Sequence, residues 1–264
     1  MALNVIVCVK QVPDTNEIKI DPVKNTLIRE GVASILNHDD ANALEEALKL
    51  KDIYPETKVT VLSMGPPQAK EMLIECLAKG ADDAILLSDR ALGGSDTWAT
   101  SNALSSAIKK IGNYDIIFAG RQAIDGDTAQ VGPQIAEKLD IPQVTYVRNF
   151  KISGETITVH RALEDGYETI EVKKPCLLTT IKELNKPRYM NIRGIFDATQ
   201  KEIKVWSAKD IGVTDTEVGL DASPTNVFRS FTPALKGKGK LIDGETSNEI
   251  ARILLLELKH KQLI

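Results

Sequence analysis

Short apolar runs alternate with helical patterns in the first half of the chain, and this alternation limits the possible folds most strongly. The apolar runs are Asn4–Val9, Lys58–Ser63, Asp83–Leu87 and Tyr114–Ala119. The helical patterns are Ala41–Tyr54, a helix from Pro67 to about Gly80, and Thr97–Ile111. Continuous apolar runs separated by helices are typical of parallel strands that are buried on both faces. We therefore predict an α/β fold with a doubly wound, mostly parallel sheet, as in flavodoxin- or Rossmann-like folds.

The pattern changes after Pro142, where short β runs joined by turns replace the alternation. These runs are Gln143–Ile152, Thr156–His160, Thr169–Val172 and Cys176–Thr180. They predict an antiparallel extension of the same sheet. Nearer the start, Lys10–Asp14 is predicted as a turn, and residues 17–21 and 26–30 as a small hairpin.

The chain divides, on these patterns, into an α/β domain over residues 1–200 and a C-terminal arm over residues 201–264. The domain ends in a polar stretch, Lys182–Lys201, for which the sequence predicts no regular structure. The arm contains a Gly-Lys-Gly-Lys joint at 237–240 and an amphipathic helix at Ser247–Lys261, rich in Ile and Leu. An apolar helix on such a tail favours docking on a partner, although it can also stand alone.

Composition limits the classes of partner and cofactor. The net charge of −4 lacks the basic footprint of non-specific nucleic-acid binding, and no apolar run approaches the ~20 residues of a membrane span. The start of the chain lacks a basic n-region and is predicted to be a strand, not a signal peptide. Three scattered cysteines without metal-ligand spacing suit a reducing cytoplasm and predict no metal site. Redox chemistry would then depend on a bound organic cofactor.

Gly120–Pro133, GRQAIDGDTAQVGP, is the first candidate site, since a polar, Gly-flanked loop after a buried strand and before a helix is a common ligand corner of α/β folds. Arg121 suits phosphate, whereas Asp125 and Asp127 suit ribose hydroxyls or capping, with Asp127 and Gln130 as a loose capping box. The following helix begins either at Pro133 or near Thr128. A surface turn with an ordinary cap remains an alternative for the whole loop.

Two further loops are predicted at the same edge of the sheet. Asn37–Asp40 offers N-caps for the first helix, and capping alone would explain it. Gly93–Thr97 is predicted as a Gly-rich turn that caps the next helix, with contact to a cofactor as an alternative. The glycine fingerprints of dinucleotide-binding and P-loop folds are absent, and no nucleophile–base pair predicts a catalytic residue.

Several of these stretches together resemble the β subunit of electron transfer flavoproteins, in the family's order and over nearly the whole chain. They are Val7–Asp14, Asn37–Asp40, Met64–Pro67, Gly120–Pro133 and Pro187–Tyr189. The resemblance implies a heterodimer with an α subunit that carries a mobile flavin, and docking of the C-terminal arm on that subunit. It also implies an adenine nucleotide where the loops converge. His38 and Asp39 depart from the family, which usually has Pro and an aromatic residue there.

The resemblance implies a set of cofactor contacts on this chain. They are Cys8, Asn37, His38, Asp39, Asp40, Met64, Gly120, Arg121, Gln122, Ala123, Ile124, Asp125, Gly126, Asp127, Thr128, Ala129, Gln130 and Val131. In ordinary members the nucleotide is a structural AMP. In the electron-bifurcating branch it is the ADP half of a second FAD, which accepts a hydride from NADH.

Two loops resemble the bifurcating branch, and we expect FAD on that ground. They are Asp125–Pro133, which contains the sequence Gly-Asp-Thr-Ala, and Ser88–Thr97. Small residues leave more room for a flavin than bulky ones, and Arg90 would polarise it. The expected function is NADH-dependent delivery of electrons to ferredoxin and, through the α-subunit flavin, to an acyl-CoA-type dehydrogenase. The chain would oxidise NADH only as part of that complex.

Residues 182–201 correspond to the family's recognition loop for such dehydrogenases. Alignment on Pro187–Tyr189 places Ile192 at the aliphatic anchor, with Arg193 beside it. Packing of Ile192 under its own loop is the alternative. Two other functions stay open: a conventional carrier with structural AMP, and a stand-alone ATP- or AMP-binding regulatory protein.

Overall fold

The computed structural model describes residues 2–14, 33–228 and 237–264 of the 264-residue chain. The chain divides into two compact units. Unit 1 comprises Met1–Lys19 and Leu27–Phe228, and unit 2 comprises Ile20–Thr26 and Arg229–Ile264. The hairpin predicted at 17–30 lies outside the described residues.

The secondary structure follows the predicted order. The strands are β1 (Asn4–Cys8), β2 (Gln11–Pro13), β3 (Ser34–Leu36), β4 (Lys58–Met64), β5 (Asp83–Leu87), β6 (Ile116–Gly120), β7 (Gln143–Ser153), β8 (Thr156–Leu163), β9 (Gly166–Lys173), β10 (Cys176–Thr180) and β11 (Ile203–Trp206). The α-helices are α1 (His38–Ile53), α2 (Lys70–Lys79), α3 (Thr97–Ile111), α4 (Val131–Leu139), α5 (Ile192–Thr199) and α6 (Ser247–His260). Short 3₁₀ turns cover Pro67–Ala69, Arg90–Leu92 and Lys209–Ile211.

The main sheet has nine strands in the order β11-β5-β4-β1-β6-β10-β7-β8-β9. The strands from β11 to β7 run parallel, whereas β7, β8 and β9 pair antiparallel. The predicted α/β fold is therefore confirmed. After β1 the chain continues to β4 and β5 on one side and then places β6 on the other side, so the strand order reverses between β1 and β6. Such a switch point opens a crevice at the carboxyl ends of the strands.

Helices cover both faces of the sheet because its central strands are apolar on both sides. In β1, Val5 and Val7 pack into the core under α1 and α2, whereas Ile6 and Cys8 pack into the core under α3 and α4. Alternate side chains of a strand point to opposite faces, which is why one five-residue run serves both cores.

Three local predictions were wrong. Residues 11–13 are not a turn but β2, which pairs antiparallel with β3 in a separate two-stranded sheet. β10 is not part of the antiparallel extension, because it lies between β6 and β7 and is parallel to both. The stretch without predicted structure contains α5, and β11 follows it as an edge strand beside β5.

The predicted boundary between domain and arm at residue 200 remains a prediction. In the structure, β11 still belongs to the main sheet. Unit 2 contains α6, which Thr246 caps by accepting from the Glu249 N–H, and an ion pair between Lys240 and Glu257. None of the helices in the described residues combines the length and apolar character that crossing a bilayer requires.

Candidate functional site

A cavity of about 860 Å³ opens in unit 1 at the carboxyl ends of the parallel strands. Cys8, Met64, Leu87 and Ala119, which lie at or next to the ends of four neighbouring strands, line it. The loops after these strands form its walls. This is the position at which open α/β sheets bind ligands, as the sequence predicts.

Asp40 closes the bottom of the crevice between β1 and β6. It lies in the first turn of α1 and is buried, and its carboxylate accepts the N–H of Lys10 at 2.8 Å and of Gly120 at 3.0 Å. Burial raises the pKa of Asp40 to about 7, while hydrogen bonds from Asn37, Lys10 and Gly120 act in the opposite direction. Asp40 thus ties together the two strands between which the crevice opens.

The N-terminus of α4 forms one wall, and it has no capping side chain. Gln130 occupies the N-cap position without a side-chain cap hydrogen bond, whereas Asp96 caps α3 by accepting from Ala99 at 3.0 Å. The first N–H groups of a helix are free donors that favour an anion. Gly132, in this first turn, lies so close to the sheet that an added Cβ would meet Thr179 at 2.7 Å. The α4 terminus is thus held against the sheet with its donors available.

Arg121 adds a positive charge to the lining of the same cavity. Its Nε lies 3.3 Å from Asp39 Oδ2, yet this buried nitrogen forms no hydrogen bond of acceptable geometry within the described residues. Burial raises the pKa of Asp39, although the Arg121 guanidinium acts to lower it. The neighbouring loop is strained, because the φ angle of Ala129 is 52°, a region that residues with a side chain rarely adopt. Strain and an incompletely bonded cation are common where a ligand completes a site.

Residues 88–97 form the opposite wall. Asp89 and Asp96 accept backbone N–H groups there, which hold the turn open around Gly93 and Gly94. Arg90 is exposed at this wall. Hydrogen bonds from backbone N–H groups, chiefly that of Ala91, lower the pKa of Asp89.

The two walls meet at the rim, where Thr97 Oγ1 donates to Gln130 Oε1 at 2.9 Å. Residues of the α4 terminus and of the Gly-rich turn line the same cavity.

Most of the predicted cofactor residues line the cavity. They are Cys8, Asp40, Met64, Arg90, Gly120, Arg121, Gln122, Ala123, Gly126, Thr128, Ala129, Gln130 and Val131. The remaining ones lie outside the cavity lining: Asn37, His38, Asp39, Ile124, Asp125 and Asp127. Asn37 is buried and supports the loop, since its side chain donates to Gln122 O at 2.9 Å and accepts from Ile124 N at 3.1 Å. Asp125 pairs with Lys10 at 2.7 Å.

Three predicted capping details were wrong. Asn37 precedes α1 but makes no side-chain cap hydrogen bond, because its amide is used by the loop across the crevice. The capping box is not formed, since Asp127 accepts from Gln122 and Gln130 accepts from Thr97. The helix begins at Val131, so neither predicted start is correct. Pro133 lies in the first turn, where a missing N–H costs no hydrogen bond.

The cavity also has lining residues that are not among the predicted cofactor contacts. They include Val9, Lys10, Gln11, Gly65, Pro66, Pro67, Ser88 and Asp89. Each directly follows, or lies within a few residues of, the end of a parallel strand. Position after a strand end is thus the signal that finds them. The Gly93–Thr97 turn also lines the cavity, so its alternative role in cofactor contact remains open.

The thiol of Cys8 is at the base of the cavity, and burial raises its pKa to about 12. It is therefore protonated at neutral pH and is a poor nucleophile. Cys76 and Cys176 are likewise free and buried. Among residues 2–14, 33–228 and 237–264, no three acidic, His or Cys side chains are grouped as metal ligands.

The segment 182–201 is firmly attached to α1 and α2. Arg188 binds Glu45 and Asp52 on α1, with nitrogen–oxygen distances of 2.9 and 2.6 Å. Gly194 lies against α2, where an added Cβ would meet Ala78 O at 2.1 Å. Ile192 is 89% exposed, so the alternative in which it packs under its own loop is wrong.

This segment exposes five large apolar side chains among polar and charged ones. The five are Tyr189, Met190, Ile192, Ile195 and Phe196, which we call the α5 patch. Arg193, beside Ile192, is also exposed and lies 3.6 Å from Asp197.

Residues 24–211 match the family model described as the electron transfer flavoprotein domain. Similar proteins include the caffeyl-CoA reductase-Etf complex subunit CarD of Acetobacterium woodii, 61% identical over 99% of this chain and 100% of that protein. They also include the electron transfer flavoprotein subunit beta of Clostridium acetobutylicum, 59% identical over the same shares. The acryloyl-CoA reductase electron transfer subunit gamma of Anaerotignum propionicum is 52% identical over 99% of this chain and 100% of its own. The chain therefore belongs to the electron transfer flavoprotein family and is a β-type subunit of an electron-transfer complex.

Proposed function

We propose that this β subunit binds FAD in the cavity and bifurcates the electrons of NADH. One electron would go to ferredoxin, and the other, through the α-subunit flavin, to a partner dehydrogenase. The family is flavin-associated, and the observation that carries the proposal is the extent of the cavity. A single space of about 860 Å³ reaches from the α4 terminus to the Gly-rich turn at 93–94. AMP would occupy only part of this cavity, whereas FAD, which has more than twice as many atoms, would extend across it.

The α4 wall suits the adenosine and phosphate end of such a ligand. The uncapped N-terminus of α4 supplies backbone donors, and Arg121 supplies a planar cation whose Nε lacks a well-formed hydrogen bond. Gly120 and Gly132 keep the backbone close to the strand ends, where a side chain has no space. These features would hold AMP equally well, so they support a nucleotide without choosing between the two.

The opposite wall suits the isoalloxazine. Gly93 and Gly94 line this wall without side chains, and the exposed Arg90 adds a positive charge to it. A nearby cation stabilises negative charge on a reduced ring system. When bound, FAD would supply hydride acceptance from NADH and one-electron transfer to two acceptors. The chain's own contribution is to position the ring and adjust its potentials.

The α5 patch is the proposed docking surface for the partner dehydrogenase. Ile192 is its central candidate, with Arg193 at the rim, and the platform beneath is fixed by Arg188 and Gly194. An exposed aliphatic anchor among polar neighbours is a common arrangement of binding hot spots. Two relatives carry caffeyl-CoA reductase or acryloyl-CoA reductase in their names, which supports an acyl-CoA-type partner here.

Unit 2 supplies the proposed contact with the α subunit. Leu254, Leu255 and Leu256 of α6 are all exposed, and charged side chains share the helix with them. A helix with this much exposed apolar surface is expected to be covered in the heterodimer. This surface argues against a stand-alone regulatory protein. The free, buried thiols of unit 1 are consistent with a cytoplasmic location.

Anaerobic kinetics on the purified heterodimer test the proposal. NADH should be oxidised rapidly only when ferredoxin and the partner dehydrogenase with its acyl-CoA acceptor are both present. Either acceptor alone should leave most of the NADH unreacted. NADH oxidation that is absent under every acceptor mixture would contradict bifurcation and favour the conventional carrier with structural AMP.

A further inference from the structure

Residues 214–228, which we call the 214–228 segment, lie behind the Gly-rich wall of the cavity. The segment does not line the cavity. Val218 anchors it, because this side chain is buried in the same core cluster as Leu92 of the wall. Asn102 of α3 holds it from below by donating to Glu217 O at 2.8 Å. The segment is therefore a second layer that supports a ligand-facing turn.

Backbone contact between the two layers is unusually close. Gly219 has a φ angle of 77°, and a Cβ added to it would meet Ala91 O at 2.2 Å. On the opposite side, a Cβ added to Gly94 would meet Leu220 Cβ at 3.1 Å. Each layer thus has a glycine where the other layer approaches. The two cannot move independently by much without losing this contact.

Two serine hydroxyls join the layers. Ser95 Oγ, on the wall, accepts from Gly219 N at 2.9 Å. Ser223 Oγ, on the segment, accepts from Asp96 N at 2.9 Å and donates to Gly219 O at 2.7 Å. Because Ser95 and Asp96 both line the cavity, the bond that each makes to the segment fixes a residue that a ligand would touch.

Asp96 connects the segment to α3 as well. One carboxylate oxygen accepts from Ala99 and caps α3, while the other accepts from Thr225 N at 3.0 Å. If the backbone of the segment moved, it would therefore displace both the Gly-rich turn and the start of α3. The turn contains two consecutive glycines, whose backbones are less restricted than those of other residues.

We propose that the 214–228 segment positions the Arg90–Asp96 wall, and that Ser223 is the positioning residue that couples the segment to flavin binding. This inference rests on the proposed FAD site. Coupling of this kind is reciprocal: a ligand that orders the wall also orders the segment, and loosening the segment weakens the ligand.

Reconstitution of the deflavinated heterodimer tests this coupling, with FAD and AMP as separate probes. Ser223→Ala removes two hydrogen bonds and should weaken FAD binding about tenfold. Ser223→Thr retains the hydroxyl and should restore most of the affinity. Thr216→Ala is the matched control, because its hydroxyl lies in the same segment but contacts only Thr214 among the described side chains. AMP, which would not reach the wall, should bind Ser223→Ala and the natural protein alike.

Amide hydrogen exchange on the natural heterodimer is a second test of the coupling, and it requires no variant. Saturating FAD should slow exchange in the peptide that covers 214–228, although this peptide does not touch the cavity. Unchanged FAD affinity in Ser223→Ala, an equal loss in Thr216→Ala, or exchange that FAD does not alter would each overturn the inference. A natural protein that takes up no FAD would instead overturn the proposed function.

Discussion

The carboxylate of Asp40 occupies the space that a side chain on Gly120 would need. A Cβ added to Gly120 would meet Asp40 Oδ1 at 2.2 Å, and the Gly120 N–H donates to the same oxygen. The strand end of β6 and the first turn of α1 are therefore fixed to each other under the cavity. This contact determines where the floor of the proposed cofactor site lies.

Gly120→Ala should destabilise the heterodimer by about 2–3 kcal/mol, because the added methyl group displaces a buried carboxylate. Denaturant unfolding followed by fluorescence measures the change. Gly126→Ala is the matched control from the same loop, since an added Cβ there meets no atom within 4 Å. Its effect should stay within about 0.5 kcal/mol. Equal effects of the two variants would contradict the assigned contact.

Asp40 should make the stability of the protein depend on pH. Its pKa is raised in the folded state, from the ordinary 3.8 to about 7, so the protonated form is favoured by folding. The stabilisation is complete below pH 3.8 and is lost as the pH rises through about 7. Between these values the natural protein should lose up to about 1.4 kcal/mol per pH unit relative to Asp40→Asn. If the free energy of unfolding depends on pH in the same way for both proteins, Asp40 does not titrate in this range.

Arg121→Ala should weaken nucleotide binding about tenfold or more, since it removes a cation from the cavity lining. Titration of the deflavinated heterodimer with FAD gives the dissociation constant. Arg148→Ala serves as control, because this arginine lies on β7 near the ring of Tyr167, outside the cavity lining. If both variants bind FAD with the natural affinity, Arg121 does not contact the nucleotide.

Ile192→Ala should slow electron delivery to the partner dehydrogenase about tenfold or more, as expected for a central anchor. Reduction of the proposed FAD by NADH should not change, because no residue of α5 is part of the cavity lining. Ile53→Ala is the matched control, because Ile53 lies at the end of α1, outside the α5 patch, and is 65% exposed. Equal loss of both activities in Ile192→Ala would refute the docking role.

The parallel half of the fold follows from the sequence because its signals are local. The apolar run at Asp83–Leu87 and the capped helix Thr97–Ile111 have the predicted bounds. β10 shows the opposite case, since its five buried residues do not reveal that the chain returns to insert it between β6 and β7. The pairing of β2 with β3 likewise depends on residues more than twenty positions apart. Strand order and direction are properties of long-range contacts.

The candidate site likewise has a part that could be predicted from local sequence and a part that could not. The loop at Gly120–Val131 was predicted, because glycine, arginine and strand–loop–helix order are visible locally. The role of Asn37 was not, since its amide is used by a loop some 85 positions later. The support that Ser223 gives to Asp96 spans 127 positions and has no sequence signal of its own.

Quantifying the cofactors released from the purified, fully assembled heterodimer tests the central claim most directly. Denaturation, followed by chromatographic separation and absorbance of each nucleotide, gives the stoichiometry without any assumption about activity. We predict two FAD and no AMP per heterodimer, one FAD from each subunit. One FAD together with one AMP would contradict the account and identify this chain as the β subunit of a conventional carrier.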